Sequence, residues 1–172
     1  MRRATVLLGT AAIVLFAAGV YAQGKDFSGK WTMDAEKSAA ANPAAAAGGG
    51  GGGGARGGGG GGRGGGGPMT ITMDAKTMKI TTTTPNGETT RTFALDGSVS
   101  KNTMNMGGNS MDQESTAKWD GAKLVITTKG MNGGADTTAT YSMDGASLKV
   151  ENTRPGPQGG AATTRTTIYT KG

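Results

Sequence analysis

The chain has 172 residues, 34 of them glycine, with no cysteine, no histidine and a formal charge of +6. Without cysteine there is no disulfide framework. Without histidine, serine–histidine and cysteine–histidine catalysis and the usual zinc sites are excluded. The basic residues are scattered along the sequence rather than clustered, which describes a solvated exterior and argues against a nucleic-acid partner.

Residues 1–22 read as a signal peptide. Arg2 and Arg3 form a basic start, Val6 to Val20 an apolar run, and Val20-Tyr21-Ala22 a small-x-small cleavage site before Gln23. The apolar run is shorter than the roughly 20 residues needed to span a bilayer, so no membrane insertion is expected after cleavage. The expectation is export to the periplasm or the extracellular space. Loss of Arg2 and Arg3 lowers the formal charge from +6 to +4.

Residues 23–172 form one domain. Phe27, Gly29, Trp31 and Met33 alternate with Ser28, Lys30 and Thr32, the period-2 pattern of a half-buried strand. A short helix fits Ala35 to Ala41, stopped by Pro43. Gly48 to Gly67 holds only Ala55, Arg56 and Arg63 besides glycine, so it has nothing to bury. The region 36–68 is therefore read as a disordered insertion. Two arginines among glycines are too few to support RNA binding, and the tract reads as a spacer.

From Met69 onward, strands come at regular spacing. Asp74, Asp96, Asp120 and Asp144 stand 22, 24 and 24 residues apart, and three of them precede glycine or its surroundings in Asp-Gly pairs at 96–97, 120–121 and 144–145. Such a pair between alternating apolar residues marks a hairpin, because the turn that matches strand twist needs positive φ. The result is an all-β chain: an antiparallel up-and-down meander of about 8–10 strands. Closure into a barrel removes both sheet edges, with an open two-sheet arrangement as the alternative.

Phe27 followed by Gly29-Lys30-Trp31 resembles the Gly-x-Trp opening of the calycin barrels, the lipocalins and fatty-acid-binding proteins. The insertion after the first strand, Trp119-Asp120-Gly121, the hairpin at Asp144-Gly145 and the ending Ile168-Tyr169-Thr170-Lys171 extend the resemblance to most of the strands. It implies a closed barrel with Gly29 and Trp31 at its shut end, the indole lying under an arginine of the last strand, for which Arg165 is the candidate. The family's fatty-acid-binding members hold a carboxylate with Arg-x-Tyr; here Thr167 replaces that arginine, and Arg165 and Tyr169 share a face. The resemblance implies a small, partly apolar ligand, with Arg91, Phe93, Tyr141, Arg165 and Tyr169 as its binding residues.

Other chemistry is weaker. Met104, Met106 and Met111 are soft ligands of the kind that select Cu(I), but methionine also replaces leucine at core positions of this chain, and no metal or cofactor is expected. Asp112 and Glu114 share a strand face without a cleft, so no enzyme is expected. Two readings follow: an exported lipocalin-like protein that binds a small ligand, or a structural or interaction protein of the cell envelope with a filled barrel.

Overall fold

The computed structural model describes residues 25–43, 67–84, 87–106, 109–156 and 160–172. Residues 1–24 and 44–66, with the expectations of a cleaved leader and a glycine spacer, lie outside the described residues.

Ten strands follow in order: β1 (Gly29–Met33), β2 (Met69–Met73), β3 (Thr77–Thr84), β4 (Gly87–Ala94), β5 (Val99–Met106), β6 (Asn109–Asp120), β7 (Lys123–Thr128), β8 (Thr137–Asp144), β9 (Ser147–Arg154) and β10 (Thr163–Lys171). One helix, α1 (Ala35–Ala40), lies between β1 and β2. All strands join one antiparallel sheet in the order β4-β3-β2-β1-β10-β9-β8-β7-β6-β5, a meander whose last strand returns to its first. The turns explain the register. Gly97, Gly121 and Gly145 have φ of +85°, +58° and +59°, the conformation the Asp-Gly pairs demand. The Asp74 turn has no glycine; its carboxylate instead accepts from the backbone N–H of Lys76 and Thr77, each at 2.7 Å.

Alternation sends one face of every strand inward. Phe27, Trp31, Ile71, Met78, Ile80, Leu124 and Leu148 are fully buried there. The Phe27 ring lies 5.7 Å from that of Trp119, and the Trp31 Nε1–H donates to the Phe27 carbonyl at 2.9 Å, so the indole is both packed and satisfied. The cation over Trp31 is Lys171, 5.9 Å from the ring, not Arg165. Register decides this: Trp31 pairs directly with Lys171, whereas Arg165 stands opposite Asn152 and is exposed.

Two seams in the wall lack a strand-to-strand ladder, and asparagine seals both. Between β4 and β5, Asn102 Oδ1 accepts from the Thr92 N–H at 2.7 Å and Asn102 Nδ2 donates to the Thr92 carbonyl at 3.0 Å. Ser100 Oγ accepts from the Ala94 N–H at 2.8 Å. Beyond the end of β1, the flank of β10 is met by α1 and the turn after it. Asn42 Nδ2 donates to the Thr166 carbonyl at 2.6 Å, Asn42 Oδ1 accepts from the Thr166 N–H at 2.9 Å, and Ser38 Oγ accepts from the Ile168 N–H at 2.9 Å. A primary amide carries one acceptor and a donor in the geometry of a peptide, so it extends a ladder where the chain does not.

The docked helix moves one boundary. Asp34 caps α1 by accepting from the Lys37 N–H at 2.9 Å. Residues 36–43 therefore belong to the folded domain, not to a disordered insertion.

Candidate functional site

Toward one end of the barrel, burial along the inward faces falls away. On β4 it passes from buried Phe93 to half-buried Arg91 to exposed Thr89; on β9 from Leu148 and Val150 to half-buried Asn152 and Arg154; on β10 from Tyr169 and Thr167 to exposed Arg165. On β6 it passes from Ala117 and Ser115 to half-buried Gln113 and Met111, and on β8 from Tyr141 to half-buried Ala139 and Thr137. The barrel thus has a filled apolar half and a polar mouth that solvent reaches.

Arg91, Phe93, Tyr141 and Tyr169 come together where the two halves meet. The Arg91 guanidinium lies 5.9 Å from the Phe93 ring centroid. Burial pushes both phenols up, Tyr169 to about 12, where the neighbouring Tyr141 also raises it; the positive charge of Arg91 opposes the rise at both. Neither hydroxyl hydrogen-bonds to another described residue. Arg91 has no carboxylate partner among the ion pairs of the described residues.

Arg165 points the same way as Tyr169 but sits at the rim, apart from the other four. Gly29 and Trp31 lie at the opposite, shut end. Gly29 has φ +147°, and a Cβ there would stand 3.0 Å from Lys171 Cε. Sequence reasoning missed Asn102, Gln113, Asn152 and Arg154 on the inward face. The signal for the last two was present, since both keep the parity of Leu148 and Val150. Met104 and Met111 face each other across the β5–β6 ladder on that same inward face. Among the described residues no carboxylate holds an inward strand position that could help bind a cation there. Asp112 and Glu114 face outward. Asp112 accepts from the Thr103 hydroxyl at 2.8 Å and Glu114 pairs with Lys101 at 3.3 Å.

Two surface recesses lie elsewhere. One, of about 240 Å³, is lined by Val99, Glu114, Thr116, Thr127, Lys129 and Asp136; the other, of about 170 Å³, lies beside Lys30, Pro68 and Thr83.

No protein-family model matches the sequence, and no curated protein matches it. Among solved structures, the chain is similar to zebrafish ileal bile acid-binding protein complexed with cholic acid, at 18% identity and a TM-score of 0.51, over 85% of this chain and 98% of that one. It is also similar to a point mutant of the fluorescent protein UnaG, at 19% identity and a TM-score of 0.46, over 61% of this chain and 70% of that one. The first likeness shows the fold: a nearly closed, ten-stranded, calycin-like barrel.

Proposed function

We propose that this is an exported binding protein whose barrel mouth takes a small, partly apolar anion. One observation carries the reading. Among the described residues Arg91 has no carboxylate partner, and it stands at the floor of the mouth against the Phe93 ring and near the phenols of Tyr141 and Tyr169, which have no hydrogen-bond partner among them. A lone guanidinium on an apolar floor holds a carboxylate or similar group bidentately, while the rings accept the apolar part of the same molecule. The bile-acid-binding neighbour supports the reading at the level of fold. The leader pattern of residues 1–22 supports export. The reading assigns the chain no catalytic step.

Native mass spectrometry of the exported protein tests both halves of the proposal. The expected result is a chain starting at Gln23 that carries a non-covalently bound small anion, lost in Arg91→Gln. A chain that retains residues 1–22 overturns export, and a barrel that is always empty overturns binding. A second reading, a filled scaffold of the cell envelope, is favoured by the deep burial of Phe93, Tyr141 and Tyr169 in the apolar core. An empty barrel would select it.

A further inference from the structure

The charged residues of the strands are sorted by type. Lys30, Lys79, Lys101, Lys118, Lys123 and Lys149 occupy outward positions. So do the strand carboxylates, Glu88, Asp112, Glu114, Asp120, Asp144 and Glu151. All three strand arginines, Arg91, Arg154 and Arg165, occupy inward positions; the one inward lysine, Lys171, lies at the shut end over Trp31. A solvated basic exterior explains the lysines. It does not explain why all three strand arginines turn toward a mouth where, among the described residues, no carboxylate holds an inward strand position.

The three form two groups. Arg91 lies at the floor, beside Tyr169. Arg154 pairs with Thr163 and Arg165 with Asn152, so the two are diagonal neighbours on one face, with Cβ atoms about 7–8 Å apart. Four residues of β10 separate Arg165 from Tyr169, a rise of about 13 Å. None of the three takes part in an ion pair among the described residues. Like charges that close repel, and among the described residues no carboxylate at an inward strand position offsets them. Arginine rather than lysine at all three suits planar, two-point capture of a carboxylate or phosphate, because the guanidinium is weakly hydrated and its donors form a fixed fork.

We propose that the mouth is a two-point anion site and that its ligand is an elongated dianion with an apolar middle. One anionic group sits on Arg91, and the other is held by Arg154 and Arg165 at the rim. Half-buried Ala139, opposite Asn152 in the register between Val150 and Arg154, and the Phe93 and Tyr169 rings at the floor face the apolar part. This rests on the binding reading above and names the ligand class for the same mouth.

Isothermal titration of the full mature protein with dodecanedioate and with dodecanoate tests it. The dianion is expected to bind about tenfold more tightly than the monoanion. Combining Arg154→Gln with Arg165→Gln should bring the dianion down to the monoanion's affinity, while the monoanion stays within about twofold. Arg91→Gln should weaken both. Equal affinities in the parent, a preference that survives the double variant, or indifference to Arg91→Gln would overturn the two-point site while leaving a binding protein. Failure of both probes to bind would overturn the binding reading itself, and this inference with it.

Discussion

The two halves of the barrel solve opposite problems with the same strands. Below, Trp31, Phe27, Met78 and Leu148 leave no polar atom without a partner and no side chain exposed. Above, the same alternation delivers Arg91, Gln113, Asn152, Arg154 and Arg165 to positions that water reaches. A period-2 pattern specifies which side of the wall a residue faces but not how deep it sits, so one register builds a core at one level and a site at the next. The lower half therefore carries stability, and the upper half is free to carry polar groups at little cost.

The largest expected effect breaks the lower half. Trp31→Ala removes a packed indole and the hydrogen bond to Phe27, and truncations of this kind cost about 3–5 kcal/mol. In a domain with few aromatic residues this unfolds the protein or nearly so, whereas Thr32→Ala, on the outer face, costs under about 1 kcal/mol. Denaturant titration of the two variants checks the contrast. An exposed, dispensable Trp31 would remove the distinction between the halves.

Next come the seams. Asn102→Ala leaves the N–H and the carbonyl of Thr92 without their partner in a nearly buried position, with an expected loss of about 2 kcal/mol. Asn42→Ala removes the same pair of bonds from Thr166, but Asn42 is more accessible and water replaces it, so about 1 kcal/mol is expected. Hydrogen exchange at Thr92 and Thr166 reads each seam directly. Equal losses would mean that burial does not govern how the seams hold.

The last test sharpens the boundary between the halves and is a matter of pH. Tyr141 and Tyr169 have folded pKa values above the ordinary 10.0, Tyr169 at about 12. Between those values the unfolded chain releases phenolic protons that the folded one keeps. Stability therefore falls as pH rises above 10, by about 1.4 kcal/mol per pH unit for each phenol until its folded pKa is reached. Below that window the two phenols contribute nothing to pH dependence. Replacing both with phenylalanine should flatten the decline, as thermal melts from neutral to alkaline pH would show.

Much of this was legible in the sequence. Alternation located the strands, because a half-buried strand needs it, and the Asp-Gly pairs located three turns, because positive φ needs glycine. Arg91, Phe93, Tyr141 and Tyr169 were legible as a group because parity carries across a ladder. What escaped depends on where strands stop. Lys171 rather than Arg165 covers Trp31 because β1 meets the very end of β10, a matter of register and not of composition. Ser38, Asn42, Ser100 and Asn102 read as ordinary polar residues. Their roles exist only because one strand is short and two others do not pair.

The use of asparagine as a stand-in for the peptide has a consequence for the chemical ageing of the protein. Hydrolysis of the amide to aspartate would replace the donor that faces a carbonyl with a negative charge, turning each seal into a repulsion. The usual route begins with attack on the side chain by the backbone nitrogen of the next residue. After Asn42 that residue is Pro43, which has no N–H to give up. After Asn102 it is Thr103, β-branched and held in β5. Both seals thus stand in sequence contexts where this lesion forms slowly, so the wall stays closed for longer as the protein ages.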